Sequence, residues 1–136
     1  MVLVDTNVLI DVLQGDQVWS DWAIEQLHAQ SQVDELAINP IIYAELSVSY
    51  STLDALNEAV AKMELLFVEI PKAALYLAGR AFLRYRREGG VRSSVLPDFF
   101  IGAHAAVTQA RLMTRDAQRY TSYFPTVSLI TPTPTH

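Results

Sequence analysis

Short apolar runs alternate along the chain with longer stretches of helical period, and turn or cap signals mark most of the boundaries. Val2 to Val4 is a β-branched run that stops at Asp5. Thr6 or Asn7 then caps a helix carrying Val8, Leu9, Ile10, Val12 and Leu13, which Gly15 ends. A second helix is predicted from about Val18 to Gln30, with Trp19, Ala23 and Leu27 at four-residue spacing. Leu36 to Ile38 reads as a strand, and Asn39-Pro40 as a cap and first-turn proline opening a helix through Glu45. Ser51 with Asp54 resembles a capping box for a helix to about Glu64. Leu66 to Ile70 is a third strand, and Pro71 opens a long helix to about Arg87. Its apolar stripe is Ala74, Leu77, Ala78, Ala81, Phe82 and Tyr85, and Gly89-Gly90 terminates it. Pro97 opens a helix through Asp98 to about Val107, and Arg111 to Thr114 is a fourth strand. Asp116 begins a short helical turn, and Thr126 to Ile130 is a fifth strand.

Strand–helix alternation of this kind predicts an α/β fold with a central parallel sheet and helices on both faces. Ligands of such sheets bind at the carboxyl ends of the strands. Asp5 closes the first strand and Asp116 follows the fourth, so both belong at that edge. One domain is expected over residues 1–131, and the PTPTH stretch, 132–136, reads as a frayed tail.

A hydrophobic content of 51% with 18% charged residues indicates a folded globular chain rather than a disordered one. No apolar run approaches the roughly 18 residues that span a bilayer. Asp5 and Asp11 interrupt the first apolar stretch and no basic residue precedes it, which argues against a signal peptide. With no cysteine, disulfides and zinc–thiolate sites are excluded, and a cytoplasmic protein is the default expectation. The net charge of −5 argues at first against a nucleic-acid partner. Setting four unusual acids aside removes most of that excess, and a divalent ion would offset part of their charge. Five arginines, Arg80, Arg84, Arg86, Arg87 and Arg92, also lie in one short stretch, which reads equally as a solvated helix face.

The four acids are Asp5, Glu45, Asp98 and Asp116, each inside or beside an apolar segment: MVLVDTNVLID, IIYAELSV, LPDFFIGAHAAV and ARLMTRD. Carboxylates in apolar company must be paired, hydrogen-bonded or metal-bound. Each has a plain structural reading. Asp5 and Asp98 suit helix starts, where an anion meets the dipole, and Asp116 suits a cap. Glu45 shares a helical face with Ile41, Ile42 and Leu46, so an arginine from another helix would have to pair with it. Capping does not require all four to converge on one edge, and a divalent-cation site does. Gly102 and Ala105, one and two turns after Asp98, leave room for another element, while Phe99, Phe100 and Ile101 supply the core contact. Asp11, Asp21, Glu58 and Glu64 show no comparable placement and read as solvated. His28, His104 and His136 lack metal-ligand spacing and read as surface residues. There is no phosphate-binding glycine loop and no nucleophile elbow. Trp19, Trp22 and the tyrosines and phenylalanines read as core rather than as base-stacking platforms.

The segments VDTNVLID, YAEL, LPDFFIGAHA and TRD, in this order and spacing over nearly the whole chain, resemble the PIN-domain ribonucleases. Within them the chain resembles the VapC-type toxins of toxin–antitoxin pairs. The resemblance implies a PIN-like three-layer α/β/α sandwich around a parallel sheet of four to five strands. It also implies Mg²⁺ or Mn²⁺ held by Asp5, Glu45, Asp98 and Asp116, with Asn7 and Thr114 as polar support. The bulky FFIG after Asp98, where relatives commonly carry smaller residues, touches no acid and bears on substrate choice.

The activity so implied is hydrolysis of an RNA phosphodiester by metal-activated water. Asp5, Asp98 and Asp116 would be the direct ligands, with Glu45 ligating or orienting the water, around one or two ions. Arg80, Arg84, Arg87 and Arg92 would contact the RNA backbone. A cognate antitoxin and a homodimer are the partners the resemblance implies. Two rival readings remain: a catalytically inactive PIN-like binding module, and an aspartyl phosphatase, which needs an Asp where this chain has Asn7.

Overall fold

The structure is a computed structural model, and it describes residues 1–132. Five strands, β1 (Val2–Val4), β2 (Leu36–Ile38), β3 (Leu66–Phe67), β4 (Arg111–Met113) and β5 (Leu129–Ile130), form one sheet in the order β3-β2-β1-β4-β5. Every neighbouring pair is parallel. Among the described residues seven helices flank it: α1 (Thr6–Gln14), α2 (Ser20–Ser31), α3 (Pro40–Ser47), α4 (Leu53–Lys62), α5 (Lys72–Arg87), α6 (Leu96–Thr108) and α7 (Gln118–Thr121). The expected parallel sheet with flanking helices is therefore the fold adopted.

Strand β1 is the centre of the molecule. Val2, Leu3 and Val4 are all fully buried, because helices cover both faces of a parallel sheet. That is why the strand reads as an unbroken apolar run. The order of strands reverses at β1: β2 and β3 lie on one side, β4 and β5 on the other. The carboxyl ends of β1 and β4 thus frame the switch point where parallel sheets bind ligands.

Several boundaries differ from the sequence reading. Strand β3 covers only Leu66–Phe67 and β5 only Leu129–Ile130, because each is an edge strand with a single neighbour. Asp5 itself caps α1, its Oδ1 accepting from the Thr6 N–H at 2.8 Å, so Thr6 and Asn7 are released for other partners. The cap of α4 is Thr52, whose hydroxyl accepts from the Ala55 N–H, rather than Ser51. Helix α7 begins at Gln118 and leaves Asp116 in the preceding loop. Asn39 caps α3 as expected, and Gly15 ends α1 with a φ of 60°. His136 and all but Pro132 of the expected tail lie outside the described residues.

Two polar residues expected at the surface are buried. Asp11 forms a two-pronged ion pair with Arg115, at 2.7 and 3.3 Å. His104, 1% exposed, receives a hydrogen bond from Asn39.

Gly102 lies where α6 meets the Phe124 ring, and a Cβ there would stand 2.4 Å from that ring. Phe124 is itself buried, so the ring has little room to yield. Gly102→Ala is expected to lose about 1–2 kcal/mol in denaturant unfolding, the overpacking outweighing the gain in helix propensity. A variant as stable as the parent would show that α6 is free to shift.

Candidate active site

Asp5 follows β1 directly, which puts its carboxylate at the switch point with 1% exposure. A buried charge of this kind must find donors. Three converge on it: the Thr6 N–H on Oδ1, then the Thr114 hydroxyl at 2.9 Å and the Tyr120 hydroxyl at 2.7 Å on Oδ2. Burial pushes the carboxyl upward in pKa and these three bonds pull it back, without cancelling the rise. Burial and the Asp5 carboxylate push the Tyr120 phenol well up, so it remains a donor.

Thr114, fully buried at the end of β4, gathers the next contacts. Its oxygen donates to Asp5 and accepts from Asn7 Nδ2 at 3.2 Å and from the Asp116 N–H at 3.2 Å. Asn7 and Thr114 therefore stand beside Asp5. The Asp11–Arg115 pair anchors the same loop from α1.

Glu45 is half-buried on α3, and its Oε1 accepts a 2.6 Å bond from the Thr6 hydroxyl. No arginine pairs with it among the described residues. Asp98 and Asp116 share a cation. Arg119 Nη1 lies 3.6 Å from Asp98 Oδ1, and Arg119 Nε lies 2.9 Å from Asp116 Oδ2. Burial raises the Asp98 carboxyl to about 6, Arg119 opposes that rise, and the Asp5, Glu45 and Asp116 carboxylates add to it. Asp98 thus feels the charges of the other three acids at this edge.

The donor set suits a hard divalent ion, since it consists of carboxylates and hydroxyls. Its oxygens are engaged with Thr6, Thr114, Tyr120 and Arg119 instead of one another. Accordingly no group of three carboxylates or histidines closes to metal-holding distance among the described residues. Mg²⁺ commonly takes only one or two carboxylates and keeps several waters, so the donor chemistry fits without a closed cage.

The arginine stretch divides. Arg92 lines a cavity of about 590 Å³ with Ser94, Asp98, Asp116 and Arg119. Arg84 places its guanidinium 4.8 Å above the Tyr123 ring and pairs with Glu88, and Arg86 covers Phe82. Arg80 and Arg87 are exposed on α5, and no ion pair ties either to the acids among the described residues.

The PIN domain family model matches residues 2–121. The chain belongs to the PIN domain family. Solved structures of the same fold include VapBC2 from Rickettsia felis bound to a DNA fragment from their promoter. It is 20% identical with a TM-score of 0.72, over 96% of this chain and 98% of that one. A toxin–antitoxin complex from Klebsiella pneumoniae is 22% identical with a TM-score of 0.71, over 99% and 100%. VapBC-1 from nontypeable Haemophilus influenzae is 16% identical with a TM-score of 0.72, over 96% and 98%. At these identities the likeness is one of fold. No curated protein sequence matches the chain.

Four residues at or behind this candidate site carried no signal as functional residues in the sequence: Thr6, Arg119, Tyr120 and His104. The last acts at a distance. Asn39 Oδ1 is committed to the Ile42 N–H, so Asn39 Nδ2 must be the donor to His104 Nδ1, at 3.1 Å. The imidazole proton therefore resides on Nε2, and burial keeps the ring neutral by lowering its pKa. The bond fixes α6, which bears Asp98, against the start of α3, which bears Glu45.

A carboxyl at about 6 instead of 3.8 makes the folded chain bind protons that the unfolded chain has released. The associated stability is fully present below about pH 4 and is lost as pH rises through about 6. Metal-free Asp98→Asn is therefore expected to melt above the parent at neutral pH, with the gap closing toward about pH 4. Matching melting curves across that range would contradict the charge crowding at Asp98.

Proposed function

We propose that the chain is a divalent-metal-dependent endoribonuclease, the toxin of a toxin–antitoxin pair. The observation that carries this reading is the meeting of Asp5, Glu45, Asp98 and Asp116 at the switch point of a PIN-family fold, where the other three raise the Asp98 carboxyl. Asp5, Asp98 and Asp116 would hold Mg²⁺ or Mn²⁺, with Glu45 ligating or orienting the attacking water. When bound, such an ion lowers the pKa of a coordinated water and offsets charge on the phosphate under attack. Thr114 and Tyr120 hold Asp5 Oδ2 in place, Asn7 holds Thr114, and Thr6 steadies Glu45. Arg119 balances Asp98 and Asp116 in the metal-free protein, a charge role the cation would take over. Arg80, Arg84, Arg87 and Arg92 would contact the RNA backbone, Arg92 from the cavity that Asp98 and Asp116 also line.

A cognate antitoxin is the proposed protein partner, in keeping with the toxin–antitoxin complexes that share the fold. Leu66, Phe67, Leu75 and Tyr76 are exposed apolar side chains, which supports contact with a protein, including a second copy in a homodimer. One observation favours a second reading, the inactive binding module: Arg119 already pairs with two of the acids. The phosphatase reading gains nothing, because both Asp5 oxygens are engaged and Asn7 is bonded to Thr114.

Structured RNA incubated with the purified chain and Mg²⁺ or Mn²⁺ is expected to be cut, and EDTA to stop the cutting. Asp5→Asn is expected to lower the rate roughly a hundredfold or more, since even outer-shell changes at metal sites cost 10–100-fold. Cleavage that survives EDTA, or a fully active Asp5→Asn, would sink the assignment. A folded chain that binds RNA but never cuts it would establish the binding module.

A further inference from the structure

A second cavity opens against the acids. It measures about 170 Å³ and is lined by Tyr85, Phe99 and Tyr123 and by Gln118, Arg119 and Ser122. Asp98 and Val95 complete it, and Val95, Asp98, Gln118 and Arg119 also line the larger polar cavity that holds Arg92 and Asp116. The two are therefore parts of one groove, aromatic at one end and charged at the other.

The aromatic end is built from α5, α6 and the segment after α7. Tyr123 stands edge-on to Phe99, with centroids 5.2 Å apart, and edge-on to Tyr85 at 6.3 Å. Tyr85 and Tyr123 both remain half-exposed, while Phe99 is buried behind them. Two cationic residues flank these rings. The Arg84 guanidinium lies over Tyr123, and the Arg92 backbone N–H donates to the Tyr85 hydroxyl at 3.1 Å, while the residue also lines the polar cavity.

We propose that this cavity is a nucleobase subsite, holding one base of a single-stranded RNA whose adjoining phosphate lies in the polar cavity beside Asp98 and Asp116. This rests on the nuclease reading above and adds a determinant of sequence preference to it. A base needs an aromatic surface for its π-face and donors and acceptors for its edge. Tyr85 and Tyr123 supply the first; the Gln118 amide and Ser122 hydroxyl supply the second. A wholly apolar occupant would leave Gln118 and Arg119 unmatched, and an anion alone would waste the rings. Arg84 over Tyr123 and Arg92 in the polar cavity would supply cations for the phosphates flanking a seated base. Tyr85 and Tyr123 are specificity residues here, not catalytic ones.

The test is to map cut sites in a random-sequence single-stranded RNA pool with Mn²⁺, for the parent, Tyr123→Ala and Tyr123→Phe. The parent is expected to favour one base at a fixed position beside the cut, and Tyr123→Phe to keep that preference. Tyr123→Ala is expected to flatten it and to lower turnover of the favoured sequence roughly ten- to a hundredfold. A preference unchanged in a folded, active Tyr123→Ala overturns the subsite and leaves the nuclease reading intact. If the parent cuts nothing, the nuclease reading fails, and the cavity is judged by titrating the four 5′-mononucleotides against the NMR signals of the Tyr85 and Tyr123 rings. Shifts confined to those rings would support a base subsite. Unmoved rings would overturn it, as expected of a groove shaped for a protein segment.

Discussion

The buried charge on Asp5 is the constraint from which the rest of the site follows. A carboxylate at the end of a fully buried strand is tolerated only if donors reach it. The donors come from three places in the chain: Thr6 beside it, Thr114 at the end of β4, and Tyr120 in α7. Satisfying Asp5 therefore brings β4 into register with β1 and draws α7 across the edge of the sheet. Once α7 lies there, Arg119, the residue before Tyr120, reaches Asp98 on α6 and Asp116 in the loop. One acid's need for hydrogen bonds in this way organises the surroundings of the other three.

Much of this was legible in the sequence, for a local reason. An acid inside an apolar frame is anomalous wherever the frame goes, so Asp5, Glu45, Asp98 and Asp116 announced themselves without any knowledge of the fold. Strands β1, β2 and β4 were equally plain, because burial on both faces leaves an uninterrupted apolar run. The misreadings share a different cause. Asp11 and His104 look unremarkable until Arg115 and Asn39 come up against them, and those partners lie 104 and 65 residues away in the chain. Tyr120 read as an ordinary core aromatic, and only its hydroxyl's contact distinguishes it. Strands β3 and β5 were drawn too long because their β-branched residues run on past the point where a neighbouring strand is available to pair with.

The same arrangement sets stability against chemistry. Four carboxylates at one edge repel one another, and burial at Asp5 and Asp98 adds to the cost of keeping them ionised. The fold absorbs this locally, with hydroxyl donors at Asp5 and Glu45 and a guanidinium at Asp98 and Asp116. Asp5 is held by the fully buried Thr114 and Tyr120 hydroxyls, whereas Asp98 and Asp116 are held by the more exposed Arg119, a group that can yield to a metal ion.

The bond between Asn39 and His104 has a consequence for inheritance. Each side chain is buried and has its remaining polar capacity defined by the other, so neither can be exchanged alone without stranding its neighbour. A lineage that abandons this tie must replace both residues in close succession or substitute a pair of similar shape and complementary polarity. Positions 39 and 104 should therefore drift as a unit among descendants of this chain. The spacing between the helices that carry Glu45 and Asp98 would then record which solution each lineage adopted.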